Sequence, residues 1–506
     1  MTLSVLTSRV SVWMNARAKR PMGVGIFVLG ACMTLGYAPF GLWPVAVLSL
    51  AGLWWMVRHA SSSKQAMGAA LVWGLGHHLT ALYWLPWAFF KDSGGSWLAA
   101  IGGGVPAVGV LALFSTLTYV MASYVAFKLL QRDRRVLGGV AWVATIVVLE
   151  FLKGLHPMGF PWLPVGAIFA SSLTLMQTAS LGGVWLLSAI GASLAVLTTS
   201  GHKRAYMAIA GVIVLMAGYG TWRLQHIPMS TTGDMVRVVQ PNIQSAHKWD
   251  PKTRLMFLQD TLKVALDNNE GPAPHTVIMP ETAVAFYLPE EDDVRMAIAN
   301  RITASLPADS GLITGSIRRG PNPGKPLPKF YNSFVALDGQ GVLRGVYDKQ
   351  LLVPFGEYIP LRDWLERLPL PMPLRTLSQS RIDFSHGTRS PLLPTPAGEA
   401  LGLICYEGIF PWHVARHSEE ARYLANITND GWFTGTIALY QHAALSRLRA
   451  VETGLPLVRV ANTGLTLVYD GLGREILRLP INEAVRADVD LPPRLPSTPL
   501  LSLLNM

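Results

Sequence analysis

Three polar residues in the second half of the chain stand directly behind apolar runs, and together their types can do chemistry. Glu281 follows 277–280, Lys349 follows 345–348 and Cys405 follows 401–404. Strand ends are where α/β proteins assemble reacting groups, because a rigid sheet brings side chains from distant sequence positions together. A thiol attacks a carbonyl only after losing its proton. A neighbouring carboxylate can take that proton, and an ammonium can stabilise both the thiolate and the oxyanion of a tetrahedral intermediate. On this reading Cys405 is the nucleophile, Glu281 the general base and Lys349 the electrostatic stabiliser. Each residue alone fits an ordinary surface charge or a small buried side chain, so the argument rests on the combination. The sequence has no Ser-centred G-x-S-x-G elbow, which removes the main support for a serine hydrolase.

These residues need a sheet to position them. From Asp234 onward, short β-like runs alternate with turns and helical stretches, the texture of an α/β domain. The runs are 236–240, 276–279, 311–315, 333–337, 342–347, 401–404, 423–426, 457–460 and 465–469. Residues 251–267 and 437–453 read as helices, and the proline-rich 358–400 as an insertion or flap.

The first half is of another kind. A chain of 506 residues suggests two or more domains. Half of it is hydrophobic and 14% is charged, its mean hydropathy is +0.33, and an ordinary soluble domain has roughly a quarter charged residues. A soluble single domain and a disordered chain are both excluded. Residues 1–222 hold fourteen Lys/Arg and three Asp/Glu, net +11, whereas the other 284 residues hold 28 of each. The basic charge thus belongs to the apolar half, which argues against nucleic acid as a partner.

A bilayer-spanning helix needs about 20 apolar residues. Spans are predicted near 22–36, 40–57, 66–90, 97–127, 136–152, 183–200 and 205–222, with 159–178, which contains Gly159-Phe160-Pro161-Trp162, read as re-entrant or interfacial. A cleaved signal peptide is the alternative for the first span, but no A-x-A-like site is evident. With seven spans, twelve basic residues fall on one side and only Lys91 and Lys153 on the other. The positive-inside rule then places the second half outside the cytoplasm. This predicts a membrane domain over 1–226, a catalytic domain over 227–490 and a tail over 491–506.

Aromatic residues crowd the predicted outer ends: Tyr83, Trp84, Trp87, Phe89, Phe90, Trp97, Phe160 and Trp162. They fit an interfacial belt, and the functional alternative is a lipid-facing entrance beside the catalytic domain. His77 and His78 read as packed polar residues. Cys32 and Cys405 are far apart and make no C-x-x-C, so a free thiol at Cys405 is expected and no metal or cofactor is called for.

At these motifs the chain resembles a known family. The runs 279–283, 347–360 and 404–407 are similar to the Glu-Lys-Cys motifs of the carbon–nitrogen hydrolase (nitrilase) superfamily. The sequence Val353-Pro354-Phe355-Gly356-Glu357-Tyr358, the run 428–433 and the polytopic first half more closely resemble the apolipoprotein N-acyltransferase family. The resemblance implies an αββα domain on the periplasmic side of the bacterial inner membrane. It also implies a two-step reaction: the thiol takes an acyl chain from a phospholipid, typically phosphatidylethanolamine, then gives it to the α-amino group of an S-diacylglyceryl cysteine at a lipoprotein N-terminus. Glu357 matches a supporting position. Tyr406 and Glu407 flank the nucleophile, the first offering its N–H to the oxyanion and the second structural hydrogen bonds. Trp249, Trp432 and Phe433, with Phe160 and Trp162, are candidate lipid or substrate contacts, with core packing as the alternative. His442, Arg449, Glu452 and Asn462 read as structural. The family's final spanning helix is not matched, since 492–506 is too short and proline-rich to cross.

Two other functions compete. A membrane-tethered amidase or nitrilase would use the same three residues to hydrolyse a C–N bond. A transporter with an accessory domain predicts internal repeats and ionisable residues deep in its spans, and the sequence has no such repeat.

Overall fold

Long runs free of charge leave backbone polar groups no partner in an apolar surrounding except each other, so the first half folds as helices. The computed structural model describes residues 19–132, 134–155, 159–243, 250–266, 273–324, 326–354, 356–359, 362 and 383–504. Its helices begin with α1 (Lys19–Met33), α2 (Trp43–Arg58), α3 (Ser63–Ala81), α4 (Leu85–Asp92), α5 (Val105–Leu130), α6 (Arg135–Lys153), α7 (Ala179–Thr198) and α8 (Lys203–His226). Among the described residues, Trp97–Leu130, Arg135–Lys153, Leu175–Thr198 and Lys203–His226 are long and apolar enough to cross a membrane. Gly23–Gly36 and Trp43–Arg58 are apolar but shorter.

One predicted span is interrupted, and another carries a π-helical turn within a continuous helix. The stretch 66–90 breaks after Ala81, and α4 restarts with Pro86 in its first turn, where a missing N–H costs nothing. The stretch 97–127 enters α5 through a π-helical turn over Ala100–Gly104. Residues 159–178 contain only the short 3₁₀ turns Val165–Ser171 and Leu175–Thr178, and they are largely buried. Side chains satisfy their backbone: Val165 N–H donates to Glu150 Oε1 at 2.8 Å and Gly166 N–H to Ser188 Oγ at 2.8 Å. Helical geometry in α7 is broken at Gly182 and Gly183, the latter at φ +67°, a conformation glycine adopts without strain. His77 and His78 are packed: Tyr37 stacks on His77, and His78 Nδ1 lies 2.8 Å from Gly74 O.

The second half carries strands β1 (Met235–Gln240), β2 (Thr276–Ile278), β3 (Gly311–Gly320), β4 (Lys329–Asp338), β5 (Leu343–Asp348), β6 (Leu392–Leu393), β7 (Ala400–Ile404), β8 (Tyr423–Thr428), β9 (Leu457–Ala461), β10 (Leu467–Tyr469), β11 (Glu475–Arg478) and β12 (Val485–Asp490). They form two six-stranded mixed sheets, ordered β12-β1-β2-β3-β4-β5 and β11-β10-β9-β8-β7-β6. Val238, Ile278 and Phe334 of the first share a core with Ile404, Ala425 and Val460 of the second. The first sheet's other face is covered by α9 (Arg254–Leu266) and α10 (Asp292–Thr303). The second's is covered by α11 (Pro411–His417) and α12 (Ala438–Thr453). This is the expected αββα sandwich. Within the predicted flap, 392–393 instead form the edge strand of the second sheet and 400 opens the strand beside it, while 360–361 and 363–382 lie outside the described residues. Helix α13 (Pro499–Leu504) packs Leu500 and Leu501 into the protein.

The two halves share one core. Tyr406, Ile409 and Phe410, together with Leu445 and Leu448 of α12, are buried in the same cluster as Trp84, Trp162 and Val184. The segment that follows Cys405 is therefore embedded in the helical half.

Candidate active site

The facing sheets bring Glu281, Lys349 and Cys405 together. Glu281 follows β2, and Lys349 follows β5. Cys405 ends the run from β7 and opens a 3₁₀ turn, Cys405–Ile409. Cys405 sits at φ +51° and Thr282, next to Glu281, at φ +48°. Such left-handed conformations cost on the order of 1–3 kcal/mol in residues other than glycine and persist only where the surroundings enforce them. Gly315 allows the close approach behind Glu281, since a Cβ there would lie 2.3 Å from Thr282 N.

Lys349 Nζ is 2.9 Å from Glu357 and 3.8 Å from Glu281. Asn332 of β4 donates from Nδ2 to both carboxylates, at 2.7 Å to Glu281 and 2.9 Å to Glu357. Glu281 also accepts the Asn429 N–H at 2.9 Å, and Glu357 that of Val353 at 2.8 Å. Burial alone would lower the pKa of Lys349, but Glu357, Glu281 and Cys405 hold it above its ordinary value. It is a permanent cation. Burial raises the Glu281 carboxyl above its usual range, and Lys349 opposes the rise.

The thiol is not a resting thiolate. Burial, reinforced by the Glu281 charge, pushes it up to about 12, and Lys349 and Thr428 only partly offset the rise. Thr428 Oγ1 lies 3.2 Å from Sγ and 3.1 Å from Asp430 Oδ1. The Thr428 hydroxyl is within donating reach of both Sγ and Asp430 Oδ1, and its single hydrogen serves one of them at a time. As charge develops on sulfur, the hydroxyl can turn toward it.

Further contacts fix the backbone around Cys405. Glu407 Oε1 accepts from Tyr347 OH at 2.6 Å, Gln350 N–H at 2.8 Å and Leu351 N–H at 3.1 Å, and Oε2 accepts the Ile404 N–H at 2.8 Å. Arg459, which can only donate, lies 3.0 Å from His442 Nδ1. This assigns the hydrogen to His442 Nε2, which donates to Cys405 O at 3.2 Å. Burial lowers the His442 pKa and keeps the ring neutral. Arg459 also pairs with buried Asp430 at 2.8 Å.

An aromatic wall links this centre to the helical half. Trp162 stacks on His442 with ring centres 5.9 Å apart, and Trp84 and Phe160 lie 5.3 and 6.0 Å from Trp162. Phe433 meets His442 and Trp84 edge-on at 6.0 and 5.4 Å. Tyr406 OH donates to Gly159 O at 2.9 Å. Beyond Trp84 and Phe433, a groove of about 410 Å³ runs between Tyr83, Pro86, Trp87 and Trp97 on one side and Thr434–Thr436 on the other. Trp432 is half-buried in the adjoining turn, and Trp249 lies outside the described residues. Asn332 and Thr428 are site residues that the sequence reading did not single out. Among the described residues, no group of three or more His, Cys, Asp or Glu is placed to hold a metal.

Residues 29–197 match the family model for the apolipoprotein N-acyltransferase N-terminal domain, and 235–492 match that for carbon-nitrogen hydrolase. An apolipoprotein N-acyltransferase of Bradyrhizobium diazoefficiens is 37% identical over 494 residues, covering 93% of this chain and 89% of the relative. The chain belongs to the apolipoprotein N-acyltransferase family. A second member, from Rhodopseudomonas palustris, is 34% identical over 489 residues, covering 92% and 88%. Of the solved structures, a nitrilase-superfamily amidase of Nesterenkonia AN1 is 18% identical, with a TM-score of 0.37, covering 55% of this chain and 95% of the amidase. For a family member, the thiol, carboxylate and ammonium lie beside an aromatic wall shared with apolar helices. This arrangement suits an acyl transfer whose acyl group arrives from lipid.

Proposed function

We propose that this membrane protein N-acylates lipoproteins, with Cys405 carrying the acyl group as a thioester between a phospholipid donor and a diacylated acceptor. Glu281 takes the Sγ proton as sulfur attacks the donor's ester carbonyl, and Lys349 and the Tyr406 N–H face the developing oxyanion. Collapse of the tetrahedral intermediate breaks the ester C–O bond. Glu281 returns the proton to the departing lysophospholipid oxygen. The acceptor's neutral α-amine then attacks the thioester carbonyl, Glu281 takes up the amine proton, and the thiol is restored.

The observation that carries this reading is the position of Cys405, whose following turn is buried among the apolar helices. A thiol held there meets two lipid-anchored substrates at high local concentration, and its surroundings protect the thioester from water. The groove lined by Tyr83, Trp87 and Trp97 supports lipid entry along the aromatic wall. We place residues 1–226 in the bacterial inner membrane and the catalytic domain, 227–490, on the periplasmic side. The support is the bias of twelve basic residues to the opposite face. Phosphatidylethanolamine is the proposed donor.

Purified protein given phospholipid with a labelled acyl chain and a diacylated lipopeptide should transfer the label to the peptide amine. Hydrolysis of small amides without transfer would contradict the proposal and support the amidase reading.

A further inference from the structure

Lys91, at the C-terminal end of α4, touches both walls of the groove that leads from the aromatic wall. Its Nζ donates to Thr434 O at 3.1 Å, on the side supplied by the catalytic half. It also lies 5.6 Å from the ring centre of Trp87, on the side supplied by the helices. An ammonium within about 6 Å of an indole face is attracted to it by the ring quadrupole. Trp87 is itself held, stacking on Phe90 at 5.1 Å, and Phe90 meets Trp97 at 4.5 Å.

This cation has no counter-ion among the described residues. The side chain is half-buried. An ammonium carries three donors, and the contact with Thr434 O occupies one of them. A partly desolvated cation favours an anion beside it, and the groove of about 410 Å³ walled by Tyr83, Pro86, Trp87 and Trp97 favours hydrocarbon. A ligand that satisfies both carries an anionic group within a few bonds of an acyl chain. An inorganic anion lacks the chain, and a diacylglycerol lacks the charge. A free fatty acid has both, but its carboxylate offers the sulfur no leaving group. A phospholipid has both, and its ester carbonyls lie between the phosphate and the chains.

We propose that Lys91 binds the phosphate of the phospholipid donor while an acyl chain occupies the adjoining groove. The route from there to the nucleophile is continuous. Thr434 follows Phe433, whose ring meets His442 at 6.0 Å, and His442 donates to Cys405 O at 3.2 Å. Lysine acts on phosphate as a point charge, so Lys91 selects phospholipids as a class rather than one headgroup. The S-diacylglyceryl acceptor has no phosphate, and Lys91 therefore serves the first half-reaction and not the second. The inference rests on the proposed phospholipid donor.

The test uses the full-length protein in maltoside micelles, where the donor is the one phosphate-bearing lipid. Acyl-adduct formation on Cys405 is followed by intact mass with phosphatidylethanolamine or with a diacylglycerol of the same chains. In Lys91→Gln the phosphatidylethanolamine KM should rise about tenfold, as expected for one partly exposed charge-assisted contact, with kcat changed far less. The preference for phosphatidylethanolamine over diacylglycerol, as a ratio of kcat/KM, should fall by the same factor, and Lys91→Arg should restore most of it. An unchanged KM, an equal loss with both donors, or no rescue by Lys91→Arg would each overturn the proposal. Inorganic phosphate at matched ionic strength should not compete; competition would assign the site to a free anion and contradict the lipid. Binding of a dialkyl-ether phospholipid, which cannot acylate the thiol, should weaken about tenfold in Lys91→Gln by native mass spectrometry. That readout is independent of Cys405, so weakened binding beside a natural protein that forms no adduct would uphold Lys91 and refute the thiol. If Lys91→Gln does not fold, a structure of the natural protein with the ether lipid decides: a phosphate oxygen within hydrogen-bonding reach of Lys91 Nζ is expected, and a phosphate held elsewhere contradicts it.

Discussion

Lys349 has its closest counter-ion in Glu357, at 2.9 Å, with Glu281 farther away at 3.8 Å. The spacing separates two duties. Glu357 neutralises and anchors the ammonium, which leaves Glu281 free to receive a proton. Glu357→Gln should therefore lower single-turnover acylation on the order of 10²-fold and, by leaving a buried cation without its nearest partner, destabilise the protein by about 3–5 kcal/mol. Mass spectrometry of the adduct and thermal melting check both. Unchanged acylation would show that Glu281 alone suffices to hold Lys349.

Protonation states set the pH dependence. The thiol lies near 12 and the Glu281 carboxyl above the ordinary carboxylate range. Acylation needs Glu281 ionised, so its rate should rise with pH through that raised pKa and then level off. Direct alkylation of Cys405 by iodoacetamide needs thiolate and should keep rising through pH 9 and beyond. A low thiol pKa, seen as alkylation that plateaus near neutrality, would contradict the base role of Glu281.

Thr428 is the hydroxyl at the sulfur. Thr428→Val removes a hydrogen bond that lowers the thiol pKa. A hydrogen bond to a charged group contributes about 1.5–3 kcal/mol, so acylation should fall about ten- to a hundredfold. The alkylation profile should move to higher pH. A loss of stability without that displacement would assign Thr428 to packing alone.

Asp430 supplies a stability term with a defined sign. Burial would raise its pKa, but the Arg459 guanidinium outweighs burial and holds it well below the usual range. Because the folded state depresses this pKa, the stabilisation is present above the unfolded value and is lost as pH falls through that value and below. Asp430→Asn should remove this acid-side loss. It should also lower stability at neutral pH by about 3–5 kcal/mol, because Arg459 is left buried without its partner. Parallel melting curves for both proteins between pH 3 and 7 would contradict this.

Much of this was legible in the residues. Glu281, Lys349 and Cys405 each follow an apolar run, and a buried strand has that signature whether or not its neighbours are known. Asn332 was not legible, because a single Asn within β4 has no motif and gains its meaning only from two carboxylates distant in sequence. Strands β11 and β12 escaped because charges are spread through Glu475–Arg478 and Val485–Asp490, as befits partly exposed strands. The break at 82–84 has no charge to mark it, and Pro86 was its one local sign.

The central claim is that the acyl group passes through one sulfur, and intact mass spectrometry tests it most directly. After mixing with phospholipid, the natural protein should gain one fatty-acyl mass on Cys405 and lose it when diacylated lipopeptide is added, whereas Cys405→Ser should show neither change. Full transfer by Cys405→Ser, or an adduct on another residue that the lipopeptide discharges, would contradict the account.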